Sequence, residues 1–182
     1  MSSRDPIDRR RVLTRALGLL GLGAAAPLLA ACSNVRPLYG SLDGTGGPAA
    51  KMTHIDLALA DSRVSQRVRN ELIFAFYGGG EPEKPAYRLN LRITDSSLPL
   101  GIERLETTPS AYLVQLNASF VLVDMASDKT ILTGTSFANV SYDFSQQRFA
   151  NVRAQRDAEN RAANQIAVDI RTKIAAYFAT HG

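Results

Sequence analysis

Tyr87, Leu89, Leu91 and Ile93 alternate with Arg88, Asn90, Arg92 and Thr94, and a β-strand is the regular structure that puts every second residue on one side. The segment is therefore read as a half-buried strand, apolar side inward and polar side outward. A second alternating run follows, with Tyr112, Val114, Leu116, Ala118, Phe120 and Leu122 on one side, and then a third over 130–142 (TILTGTSFANVSY). Turn-forming residues from Asp124 to Lys129 separate these two runs and predict an antiparallel hairpin. The stretch from Ser96 to Ser110 contains Pro99, Gly101 and Pro109 without sustained periodicity, so it reads as a long loop or an irregular strand extension.

Helical patterns flank these strands. Ile55, Leu57 and Leu59 alternate with Asp56 and Ala58 as a short first strand, after which Asp61 offers an N-cap. Val64, Val68, Leu72, Ala75 and Phe76 then recur at helical spacing until Gly78, Gly79 and Gly80 end the run. From Ser145 onward a second helical pattern runs to the end, with Phe149, Val152, Ala163, Ile166, Ile170, Ile174 and Tyr177 near one face. At 1.5 Å per residue this helix reaches about 50 Å, so its first turns are expected to project beyond the core. The order strand, helix, three strands, helix, with each element apolar on one side, predicts an α+β fold: a four-stranded, mostly antiparallel sheet with two helices packed on one face. The other face, carrying Arg88, Asn90, Arg92, Gln115, Asn117 and Ser119, is left polar and free to meet a partner.

The N-terminal region follows a different logic. Arg4, Arg9, Arg10, Arg11 and Arg15 precede an apolar run from Ala16 to Ala31 that is interrupted by Pro27 and several glycines. A spanning helix needs about 20 apolar residues, so residues 1–31 read as an export signal. Their end, Leu29-Ala30-Ala31-Cys32, resembles a bacterial lipobox, which makes Cys32 the expected lipidation site and the first residue of the mature chain. Cys32 is the only cysteine, so an internal disulfide and a thiolate metal cluster are excluded. The several acyl chains of a mature lipoprotein make a lasting membrane anchor where one chain holds only marginally. Ser33 at the position after the cysteine favours the outer membrane over the inner. The run Asp8-Arg9-Arg10-Arg11-Val12-Leu13 resembles a twin-arginine signal, and both that route and the general secretory route remain open. Residues 32–51, with Gly44, Gly46, Gly47 and Pro48, read as a lipid-anchored tether, and residues 52–182 as a single domain. Inside the tether, Arg36-Pro37-Leu38-Tyr39-Gly40 forms an apolar patch that a pure spacer does not need.

The formal charge of +4 is concentrated in the leader. Without residues 1–31 the Lys+Arg count falls from 21 to 16 and the Asp+Glu count from 17 to 15. The near-neutral remainder argues against a nucleic-acid partner. His54 and His181 are the only histidines, and neither has a ligand partner at a recognisable spacing, so no metal or other cofactor is expected. No G-x-S-x-G elbow occurs, Gly78-Gly79-Gly80 ends a helix instead of opening one, and Glu103 and Glu106 lie in a polar loop. A binding or assembly role is expected in place of catalysis.

Three stretches together resemble the LPS-assembly lipoprotein family LptE, in the form found in alphaproteobacteria. They are Cys32 followed by Arg36-Pro37-Leu38-Tyr39-Gly40; the helix Asp61-Ser62-Arg63-Val64-Ser65-Gln66-Arg67-Val68-Arg69-Asn70-Glu71-Leu72; and the combination of Ala111-Tyr112-Leu113, Ser141-Tyr142-Asp143 and the helix through Arg161-Ala162-Ala163 to Tyr177-Phe178. The resemblance implies an outer-membrane lipoprotein that plugs the LptD β-barrel, helps it assemble and binds lipopolysaccharide. Anionic phosphates on that ligand call for exposed Arg or Lys, and Arg88, Arg92, Arg104 and Lys129 are the candidates. An auxiliary lipoprotein of a lipid-trafficking ABC system, or of another envelope assembly machine, is the alternative reading.

Overall fold

The computed structural model describes residues 38, 46–82, 84–101 and 109–181. All of these belong to one compact unit, Pro37–Gly182; Cys32, the leader and Arg104 lie outside the described residues. The elements are α1 (Pro48–Met52), β1 (Ile55–Leu57), α2 (Arg63–Tyr77), β2 (Tyr87–Leu100), β3 (Ala111–Asp124), β4 (Lys129–Asp143) and α3 (Arg148–Thr180). The sheet order is β1-β2-β3-β4, with β1 parallel to β2 and the remaining pairs antiparallel. This is the expected α+β sandwich with one helix added. Residues 48–52, mostly read as tether, instead form a helical turn opened by Pro48, with Pro48 and Met52 buried. Lys51 Nζ lies 5.7 Å from the ring centroid of Phe178, and Leu38 also packs against the core.

Both long helices cover the face carrying Leu89, Leu116, Phe120 and Leu122, all buried. Ala158, Ala162, Ala163, Ala167 and Ala175 of α3 are buried beside Ile166, Ile170 and Ile174. Small side chains there let the helix axis approach the sheet and α2 closely. α2 is capped by Ser62, whose Oγ accepts from the Ser65 N–H at 3.1 Å; Asp61, the expected cap, lies one residue too early. Gly78 ends the helix in the left-handed region, φ 75°, and donates its N–H to the Phe74 carbonyl at 2.9 Å.

Two further expectations are corrected. β1 stops at Leu57, and Leu59 is 92% exposed, because the Ala58 N–H makes the last bond to the Leu89 carbonyl and the chain then turns away. Phe149 and Val152, assigned by periodicity to the inner face of the last helix, are 86% and 45% exposed. The first buried residue of α3 is Ala158, so the ten residues before it extend past the sheet as their length predicts. Between the two sequence alternatives for Ser96 to Ser110, the strand extension holds up to Leu100, which pairs with Ala111. Pro99 is tolerated because odd-numbered backbone groups of β2 face the β1 side, as the bond at Leu89 shows, and β1 has already ended there.

Both sheet edges are covered by helix cations. Arg69 of α2 donates to the carbonyls of Leu57 and Ala58, at 3.4 and 3.1 Å through Nε. On the β4 side, Lys173 Nζ donates to Thr135 O at 2.6 Å and Arg161 Nη2 to Ser141 O at 3.3 Å. The spacing is commensurate: twelve residues of helix and six of strand both span about 20 Å. Asp169 and Asp157, one turn earlier on α3, hold the two cations in place at 2.6 and 2.8 Å. Occupied edge carbonyls discourage pairing with another strand.

Candidate functional site

The sheet face opposite the helices is the candidate surface. Strand register builds it in rows: Ser96–Gln115–Asn139, Thr94–Asn117–Phe137, Arg92–Ser119–Thr135 and Asn90–Val121–Thr133. Amides and hydroxyls dominate because residues facing water along β2, β3 and β4 alternate with core residues. Gln115 is half-buried, and the other side chains in these rows, apart from Val121, are exposed. Arg92, Thr94, Asn117, Ser119, Thr135 and Phe137 line a shallow groove across the three strands. Phe137 is 76% exposed there. Sequence reading passed over it, although its position between Thr135 and Asn139 marked it as an aromatic on the polar side.

Arg88 and Arg92 both project from this face, four residues apart on β2 and hence separated by about 13 Å. At that distance each engages its own anionic group, and the two do not clamp one. Their surroundings differ. In the parallel β1–β2 register Arg88 lies beside Asp56, whereas the cross-strand partner of Arg92 is Ser119. An anion arriving at Arg88 meets a carboxylate; one arriving at Arg92 meets a hydroxyl donor, and Arg92 is the better placed of the two.

Lys129 is exposed at the start of β4, paired with Asp124, which in turn pairs with Tyr87. Residues directly opposite in an antiparallel pair share a face, so Lys129 belongs to the Tyr87 row, at the rim of the helix side, away from Arg88 and Arg92. Arg104 is outside the described residues, as is Cys32. Asp124 itself shapes the hairpin turn: its Oδ1 accepts from the N–H groups of Ala126 at 2.8 Å and Ser127 at 3.1 Å. These backbone bonds hold its carboxyl below the usual carboxylate range.

Most basic residues on the helices are engaged within the fold. Arg63 pairs with Glu159 and donates to Asn160 Oδ1 at 3.2 Å, and Arg67 pairs with Glu71 at 2.5 Å. With Arg69, Arg161 and Lys173 at the sheet edges, these side chains are structural. Among the described residues no cluster of three His, Cys, Asp or Glu is placed to hold a metal ion, and no helix is long and apolar enough to cross a membrane.

Comparison with solved structures places the fold among small lipoproteins. A putative lipoprotein from Caulobacter crescentus CB15 superposes with a TM-score of 0.62 at 20% identity, covering 72% of this chain and 96% of that one. The rare lipoprotein B from Shewanella oneidensis superposes with a TM-score of 0.51 at 14% identity, covering 67% of this chain and 93% of that one. No curated protein sequence matches significantly. The family model described as "LptE: Lipopolysaccharide-assembly" matches residues 52–174, from the end of α1 to the last turns of α3 and thus over half of the chain. On that match the chain belongs to the LptE family, and its role lies in lipopolysaccharide assembly.

Proposed function

We propose that this chain is the plug and assembly partner of an LptD-like outer-membrane β-barrel, anchored on the periplasmic side through acyl chains on Cys32. The observation that carries the reading is the polar sheet face. A barrel lumen is lined by polar side chains, and a body that occupies it needs rigid rows of hydrogen-bonding groups. β2, β3 and β4 present such rows from Asn90 to Ser96, within strands of 14 or 15 residues each, which is about 46 Å of strand. That length is comparable to the 40–45 Å of a bilayer with its headgroups. The role is one of assembly and binding, in keeping with the family.

Lipopolysaccharide phosphates are bound, on this reading, first by Arg92 and then by Arg88, Lys129 and Arg104. Copurification from detergent-solubilised outer membranes tests the partner. A large barrel protein should be retained under mild conditions, and its absence would count decisively against the plug. Depletion provides a second arm: loss of surface lipopolysaccharide with intact inner-membrane lipid traffic supports this reading over an auxiliary role in an ABC system.

A further inference from the structure

We infer that the overhanging segment of α3, residues 148–157, is a lipid-contacting surface that lies against the anionic headgroups of a phospholipid bilayer. Five of its side chains carry the inference: Arg148, Phe149, Val152, Arg153 and Arg156, all exposed. At about 100° per residue they fall within roughly 140° of the helix circumference, in the angular order Arg148, Val152, Arg156, Phe149, Arg153. Cations and apolar groups therefore interleave on one stripe. The opposite side of the segment carries the half-buried Ala150, Asn151, Ala154 and Gln155.

Charge distinguishes this stripe from the rest of the helix. Further along α3, Arg161 and Lys173 are each tied to an aspartate and a strand carbonyl. Among the described residues, Arg148, Arg153 and Arg156 form no ion pair. Asp157, the one acidic residue of the segment, is taken by Arg161. Three arginines that form no ion pair among the described residues, spaced over about 12 Å, attract an anionic surface more than a single anion. Phe149 and Val152 between them supply the apolar contact that converts attraction into shallow insertion, with the guanidinium groups remaining at headgroup level.

The segment is also held rigid. Asn151 receives the Ser145 N–H on Oδ1 at 2.7 Å and donates from Nδ2 to the Ser145 carbonyl at 2.6 Å, clamping the connection from β4 onto the helix. The stripe is thus displayed without a folding cost on binding. This inference uses the fold alone and stands or falls independently of the barrel partner.

The protein has no tryptophan, so Phe149→Trp in the full chain makes a single local reporter that responds to the stripe and not to the anchor. Vesicles containing phosphatidylglycerol should shift its emission to the blue and permit quenching by brominated acyl chains, while pure phosphatidylcholine vesicles should not. The shift should shrink at 1 M salt, at which screening acts within about 3 Å. It should be lost when Arg148, Arg153 and Arg156 are all replaced by Gln, with circular dichroism unchanged because these side chains are exposed. The inference is overturned by equal responses to both vesicle types, by no response to either, by a shift that survives the triple replacement, or by a response confined to lipopolysaccharide micelles.

Discussion

Gly134 sits on the core side of β4 directly opposite Phe120 of β3, and the ring of Phe120 covers it. A Cβ added there would lie 2.5 Å from Phe120 Cζ and 2.7 Å from Cε1, about an ångström inside ordinary contact. Phe120 is fully buried and paired on its other side with Leu91, so the ring has little freedom to move away. Overpacking of this kind costs about 1–3 kcal/mol, offset by the 0.5–1 kcal/mol that Ala gains over Gly within a strand. Gly134→Ala should therefore be destabilised by about 1–2 kcal/mol, lowering Tm by roughly 3–7 °C for a body of this size. Calorimetry and denaturant titration both read it. Phe120→Leu in the same background should relieve the clash, so the double variant should lose at least 0.5 kcal/mol less than the sum of the singles. A Gly134→Ala chain as stable as the wild type, or strictly additive effects, would refute the ring-over-glycine account.

Four further outcomes follow from the same structure. Replacing Lys173 and Arg161 together by Met exposes the β4 edge while keeping the apolar stems, and sedimentation should detect self-association absent from the wild type. Asp124 has a lowered carboxyl pKa, so its contribution to stability is present above the unfolded value of 3.8 and disappears as pH falls through the folded value; Asp124→Ala should lose less stability than the wild type between pH 5 and 2. Ile166→Ala, which empties a fully buried site on α3, should cost about 2–5 kcal/mol in denaturant titration. Arg92→Ala should weaken lipopolysaccharide binding more than Arg88→Ala, because Asp56 already neighbours Arg88; equal losses in a direct binding assay would remove Arg92 from first place.

Much of the architecture was legible because alternation is a local signal. Strands β2, β3 and β4, their hairpin, the α2 periodicity and the stop at Gly78 each follow from residues within one element. What escaped depends on neighbours distant in sequence. The end of β1 is set by where Leu89 of β2 offers its last carbonyl, and Leu59 continued a pattern with nothing left to pair with. Phe149 and Val152 fit a helical face but outrun the sheet that would have buried them. The same limit applies to the surface: the alternation of Arg88 and Arg92 showed that they share a face, but the β1 register was needed to reveal Asp56 beside one of them. Gly134 likewise owes its lack of a side chain to the ring of Phe120 on the neighbouring strand, which no residue within β4 signals.

The plug reading is tested most directly from the polar face itself. A photoreactive residue placed at Phe137 or Asn117 in living cells, followed by mass-spectrometric identification of the adduct, should capture an LptD-like barrel protein from both positions. Adducts with other partners only, in cells where the barrel protein is present at normal levels, would contradict the account.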